Sequence, residues 1–255
     1  MNDIDVDLTG KVAFITGAGM GFGRRMAFRF AKAGAAIAVT DIDLPRAEAA
    51  AAAIREQNGK AHAIQLDVAD EAAVGRAAAE AVEALGGVDI LVNNAGKHLM
   101  KYNKPFGELP TEEIRALFDV NMMGVIFCTL ALKETMRRRG GGAVINISSI
   151  AGFGSKNAYG VSKLAVRGLT IAFAHELAED KIRVNAIAPG LIATEQALEE
   201  MPEAMVRSLV DDMQVIHRLG EMDDIANMAL FLVSPAASFI TGETIKVSGG
   251  MPLAI

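Results

Sequence analysis

Lys11-Val12-Ala13-Phe14-Ile15-Thr16-Gly17-Ala18-Gly19-Met20-Gly21-Phe22-Gly23 is the stretch on which the fold turns. Residues 11–16 are an apolar run of strand length, and a helical pattern follows over residues 21–33. Glycines between them let the backbone turn sharply and come close to a ligand, with the helix N-terminus facing its negative charge. The spacing is Thr-Gly-x-x-x-Gly-x-Gly, not Gly-x-Gly-x-x-Gly, because position 22 is Phe. A ligand-free glycine turn would use the same residues. The position after the first strand and before the first helix favours a dinucleotide pyrophosphate, held by Gly17, Gly19, Met20, Gly21, Phe22 and Gly23.

Outward from this stretch, short apolar runs alternate with longer helical patterns. Strands are expected over residues 36–40, 61–66, 88–92, 143–147, 183–187 and 244–247. Helices are expected over 45–57, 71–85, near 111–138, over 157–179 and near 223–232. The alternation predicts an α/β fold of the Rossmann, doubly wound type, a parallel sheet with helices on both faces. No linker interrupts it, so residues 1–255 read as one domain. Residues 195–217 break the rhythm after a strand end and read as a substrate lid, with Met201, Met205 and Met213 as an adaptable apolar cover.

Composition narrows the function. Of 255 residues, 51% are hydrophobic and 22% charged, with a net charge of −6, which suits a packed core and offers no basic face to nucleic acid. Arg137-Arg138-Arg139 reads as cations closing a helix before Gly140-Gly141-Gly142. The single cysteine, Cys128, excludes an internal disulfide and a cysteine metal cluster, and lies in an apolar run (122–132) too short to cross a bilayer. No metal site or membrane association is expected, and the start of the chain lacks a signal-peptide pattern, which points to the cytoplasm.

Asp41 ends the second strand, where a carboxylate accepts from adenosine ribose hydroxyls and repels a 2′-phosphate; capping the next helix is the plainer reading. Met20 and Ile42 stand where a basic residue could have welcomed that phosphate, so NAD is expected over NADP. Asp67 and Val68, and Asn94, Ala95 and Gly96, end the third and fourth strands on the same edge, where adenine and its ribose should rest. Ser149, Tyr159 and Lys163 carry the reactive groups. Tyr159 and Lys163 share a helix face, and an ammonium there is expected to draw the phenol towards neutrality so that it can pass a carbinol proton.

These motifs together resemble the short-chain dehydrogenases/reductases, over nearly the whole chain. The resemblance is carried by Thr16-Gly17 through Gly23, Asn93-Asn94-Ala95-Gly96, Asn121, Ser148-Ser149, Tyr159-x-x-x-Lys163, and Asn185 through Pro189-Gly190 to Thr194. It implies a seven-stranded sheet, a homotetramer or homodimer, and a catalytic tetrad of Asn121, Ser149, Tyr159 and Lys163. Asn121 would help to hold a relay water. Lys163 would also bind the nicotinamide ribose, which puts it and Tyr159 in the cofactor site. Pro189 and Gly190 would shape the turn there, with Ile192 and Thr194 meeting the carboxamide and phosphates. Ten positions separate Ser149 from Tyr159, about three fewer than is usual in the family, which makes residues 153–156 a shortened wall of the substrate pocket. Strand alternation lets only one of Ser148 and Ser149 face inward.

The implied activity is hydride transfer between NAD(H) and a secondary alcohol or ketone of a small organic substrate. A 3-oxoacyl thioester reductase, a non-catalytic NAD-binding sensor or scaffold, and an epimerase or dehydratase that returns its hydride are the alternatives. Lys97, His98, Lys101 and Lys156 could draw an anionic substrate, though solvated surface charge is the plainer reading. Residues 157–179 spread Leu164, Val166, Leu169, Ile171 and Phe173 around a helix, which suggests a face for a second subunit.

Overall fold

A computed structural model of the chain describes residues 6–194 and 201–252; residues 195–200, the first part of the expected lid, lie outside the described residues. The strands are β1 (Val12–Thr16), β2 (Ala36–Asp41), β3 (Ala61–Gln65), β4 (Ile90–Asn93), β5 (Gly142–Ile147), β6 (Ile182–Pro189) and β7 (Thr244–Val247). They form one seven-stranded sheet in the order β3-β2-β1-β4-β5-β6-β7. Every pairing is parallel. The order reverses between β1 and β4, and a crevice opens there beyond the strands' C-terminal ends.

The pleat of β1 shows how the two faces are filled. Ala13 and Ile15 pack on one side with α1 (Gly21–Lys32), α2 (Leu44–Glu56) and α10 (Met222–Val233). Val12 and Phe14 pack on the other with α3 (Glu71–Leu85), α6 (Gly124–Arg138) and α8 (Ala158–Glu176). Alternate side chains therefore supply two separate cores, which is why the strands are apolar without a break.

The expected long helix is interrupted. α5 (Thr111–Phe118) passes through a π-helical turn, Asp119–Met123, into α6. A π turn skips a residue in the hydrogen-bond ladder and is often found at functional positions; Asn121 sits in this one. End to end, Thr111–Arg138 is the one helical stretch among the described residues long and apolar enough to cross a membrane, with a mean hydropathy of 1.5 over an 18-residue window. Here it packs beside α3, β4 and β5 in the second core, with Cys128, Leu132 and Met136 fully buried. Burial pushes the Cys128 thiol up to about 12, which makes it inert at neutral pH.

Short elements without a sequence signal appear in the connections. They are α4 (Leu99–Tyr102), a 3-10 turn at Phe106–Glu108, α7 (Ala151–Gly154) and α9 (Glu203–Ser208), which runs into a π-helical turn at Leu209–Met213.

Candidate active site

A single cleft of about 1240 Å³ runs along the C-terminal edge of the sheet, from Asp41 to Tyr159. At one end lies the glycine loop between β1 and α1. Gly17 and Gly21 have φ of 61° and 54°, values that favour glycine. The loop is pinned from β4: Asn94 Nδ2 donates to the carbonyls of Thr16 and Gly17, both at 2.9 Å. Thr16 Oγ1 accepts the N–H groups of Asn94 and Ala95, both at 3.0 Å. Gly23 is packed so closely that a Cβ there would lie 2.2 Å from the Gly17 carbonyl oxygen.

The N-terminus of α1 carries the test of whether a dinucleotide fits. Its N-cap is Met20, which makes no side-chain capping bond, and its first turn holds no acidic residue. By contrast α2, α3 and α8 are capped by the side chains of Asp43, Asp70 and Asn157. The leading amides of α1 thus lack side-chain caps and, beside Gly19 and Gly21, border the cleft. That arrangement suits a pyrophosphate.

Asp41 is buried and accepts from the amides of Gly19 (2.9 Å) and Asp43 (3.1 Å). Asp43, not Asp41, caps α2, so of the two roles read for Asp41 the capping one falls away. Asp67, Val68 and Gly96 line the same cleft, as do Pro189, Gly190, Ile192 and Thr194. The amide of Gly190 donates to the Val247 carbonyl at 2.9 Å and so ties the β6 turn to β7.

At the other end the strand pleat separates the two serines. Ser148 Oγ is buried and donates to the Lys163 carbonyl at 2.8 Å, holding α8 to β5. Ser149 faces the cleft with Tyr159, and its hydroxyl accepts the Ala151 amide at 3.1 Å. Lys163 Nζ donates to the Ile147 carbonyl at 2.8 Å and lies 5.8 Å from the centre of the Tyr159 ring. Asn121 is buried; its Oδ1 accepts the Lys97 amide at 2.8 Å and its Nδ2 donates to Ser162 Oγ at 3.0 Å. Ser162 in turn donates to the Tyr159 carbonyl at 2.7 Å. The Asn121 side chain therefore ties the π turn to the helix that carries Tyr159.

Burial dominates the titration of both central groups. It pushes the Tyr159 phenol up to about 12, with the Ser149 hydroxyl pulling the other way, and pushes Lys163 down to about 8. This corrects the expectation that Lys163 would draw the phenol towards neutrality. The ammonium is directed at the Ile147 carbonyl, and taking a phenolate out of water outweighs its attraction.

The shortened loop is also placed differently from expectation. None of residues 153–156 lines the cleft. α7 folds back on α8, with Gly152 so close that a Cβ would lie 2.8 Å from the Lys163 backbone, and Arg167 lies 3.7 Å over the Phe153 ring. The walls near Tyr159 come instead from Lys97, His98, Leu99 and Met100, and from Leu191, Ile192 and Met201. Lys101 pairs with Glu113 at 2.7 Å. Leu99, Met100 and Leu191 carried no pattern in the sequence, since a single-turn helix, α4, and the segment after β6 bring them to the cleft.

Fold and site together define a Rossmann-type oxidoreductase architecture. A family described as enoyl-(acyl carrier protein) reductase matches residues 17–252. The 7alpha-hydroxysteroid dehydrogenase of Escherichia coli is 39% identical over 253 residues, covering 98% of this chain and 97% of that protein. The 3alpha-hydroxysteroid dehydrogenase of Mediterraneibacter gnavus is 36% identical, covering 95% and 97%. A solved 7 alpha-hydroxysteroid dehydrogenase, complexed with NADH and 7-oxo glycochenodeoxycholic acid, superposes with a TM-score of 0.91 at 37% identity, covering 96% of each chain. The chain belongs to the short-chain dehydrogenase/reductase family, and it is an oxidoreductase of the kind that acts on CH–OH groups.

Proposed function

We propose that the chain is an NAD(H)-preferring dehydrogenase that interconverts a secondary alcohol and a ketone on a bulky apolar substrate of the hydroxysteroid kind. The observation that carries this is that Ser149, Tyr159 and Lys163 line one cleft together with the uncapped N-terminus of α1. Ser149 orients the substrate oxygen, and Tyr159 Oη takes the carbinol proton in oxidation and returns it in reduction. Lys163, cationic below about pH 8, lines the same cleft and would bind the nicotinamide ribose. NAD, when bound, accepts or returns the hydride, and its positive charge in the oxidised form favours the phenolate. Asn121 holds the π turn against α8, and Asp41 selects against a 2′-phosphate.

Leu99, Met100, Leu191, Ile192 and Met201 give the substrate end an apolar lining, with Lys97 and His98 beside it. Two relatives act on hydroxysteroids by name, which favours that class. The family description points to acyl thioesters as the other reading. Assaying NADH formation with hydroxysteroids, and NADH consumption with a 3-oxoacyl thioester, separates them. Hydroxysteroid oxidation with NAD is the expected result. Thioester reduction alone would move the assignment to the second reading. Bound NAD without turnover of either would favour a sensor or scaffold.

The exposed faces of α6 and α8 leave Leu130, Leu164 (44% exposed) and Ile171 (52% exposed) in solvent. A homodimer or homotetramer that buries them by symmetry is the assembly this supports. Light scattering at micromolar concentration should show it, and a monomer would overturn it.

A further inference from the structure

Arg46 stands on the first turn of α2 and lines the adenosine end of the cleft together with Met20, Asp41 and Ile42. Its backbone amide donates to the N-cap carboxylate of Asp43 at 3.2 Å, and its Nε lies 3.2 Å from the other oxygen of that carboxylate. Its Nη1 reaches back to the Met20 sulfur at 3.1 Å. A thioether is a weak acceptor, so the guanidinium lies across Met20 with donors to spare. The side chain is 56% exposed. The corner is tight: a Cβ on Gly19 would lie 2.7 Å from Arg46 Cβ and 2.9 Å from Asp41 Oδ2. A permanent, planar cation thus lines the same corner of the cleft as the carboxylate that ends β2, although neither Met20 nor Ile42 supplies one.

We propose that Arg46 is a second determinant of cofactor choice, which attracts the 2′-phosphate that Asp41 repels. The preference for NAD over NADP is then the difference between two opposed charges and is narrower than Asp41 alone would make it. This rests on the dinucleotide reading of the cleft. Asp41 acts through a buried carboxylate fixed by two amides, so its repulsion is weakly screened. Arg46 acts from solvent, and its attraction weakens as salt rises.

The test is calorimetry of NAD and NADP with the full chain and four variants: Arg46→Ala, Arg46→Lys, Asp41→Ala and the Arg46→Ala/Asp41→Ala double variant. Circular dichroism checks the fold of each, and Arg46→Lys keeps the charge without the fork. With Asp41 in place, Arg46→Ala should lower NADP affinity relative to NAD by about fivefold, the scale of a solvent-screened charge contact. In the Asp41→Ala background the same change should cost about tenfold, since the phosphate can then approach the guanidinium for charge-assisted hydrogen bonds. Arg46→Lys should retain part of the effect, and raising the salt should shrink it. A change in the NADP-to-NAD ratio of less than about twofold in both backgrounds would overturn the inference and leave the dinucleotide reading standing. Binding of neither cofactor to the unaltered chain would overturn both.

Discussion

The two ends of the cleft are built by opposite means. At the cofactor end the ligand is met by backbone: α1 begins without a side-chain cap, and glycines keep the loop thin. At the reacting end a side chain must be aimed, and the helix that carries it is capped and tied down. Asn157 accepts the Gly160 amide at 2.8 Å and donates to Asn103 at 2.8 Å, while Ser148 and Asn121 hold the same helix from β5 and the π turn. A helix N-terminus left open receives an anion, whereas a stapled one fixes the direction of a phenol. The difference predicts that losing the phenol at the reacting end changes rate alone, and that faults at the cofactor end change binding and stability together.

The sharpest break of that kind is Tyr159→Phe. It deletes the proposed proton carrier and keeps the ring between Lys163 and the small cluster around Tyr102 and Leu117. Turnover should fall by about two to four orders of magnitude, the usual cost of losing a general acid–base group. NAD affinity should stay within about threefold, because the phenol acts mainly in the transition state. Single-turnover kinetics alongside calorimetry would check both halves. A comparable loss in affinity would mean that the two ends are not separable.

The same contrast explains what could be read in the sequence. β1, its glycines and the α1 pattern are local in the chain, so residues 11–33 announce the fold, and the helix spacing brings Tyr159 and Lys163 to one face. The choice between Ser148 and Ser149 could not be made from alternation, because it depends on which face of β5 meets α8. The π turn at Asn121 was also invisible, since α5 and α6 read as one continuous apolar helix. The pocket wall was misplaced because the shortened loop folds onto Arg167, a contact between residues far apart in pattern. Nothing local in the sequence distinguishes Arg46 from an ordinary helix-surface cation.

Gly23→Ala tests the cofactor end. Its added Cβ would lie 2.2 Å from the Gly17 carbonyl oxygen and 2.5 Å from Asn94 Nδ2, so the loop or the first turn of α1 must shift. Overpacking against backbone of this kind costs about 3 kcal/mol. The denaturation midpoint should drop accordingly, and NAD affinity should fall with it, since the displaced amides are those facing the cleft. Where some dinucleotide remains bound at saturation, the turnover of that fraction should be near that of the unaltered chain. Unchanged stability would show that the loop is softer than its contacts indicate.

The smallest effect is the most instructive, because it should run towards greater stability. Lys163 is buried, and desolvation holds its ammonium down to about 8, against about 10.4 for a free lysine. A depression of that size means that the charged form costs the folded chain about 3 kcal/mol at neutral pH. Lys163→Met keeps the length and removes the charge, but leaves the Ile147 carbonyl without its donor at 2.8 Å, a loss of about 1–2 kcal/mol. The net expectation at pH 7 is a variant more stable by about 1–2 kcal/mol and catalytically crippled, the trade expected where a site is kept strained for function. The pH dependence gives the sign. Between about pH 8 and 10.4 the unfolded chain still binds the lysine proton while the folded chain has released it, so this group makes the unaltered protein more stable as pH rises through that window. The variant lacks that contribution, so its advantage should shrink above pH 8 and reverse between about pH 9 and 10, where the lost hydrogen bond outweighs what is left of the charge cost. Parallel urea denaturation of the two proteins at pH 7 and pH 10 measures the difference directly. An advantage that stays constant between those values would show that Lys163 titrates like a solvated lysine, and the desolvated reacting end would then have to be abandoned.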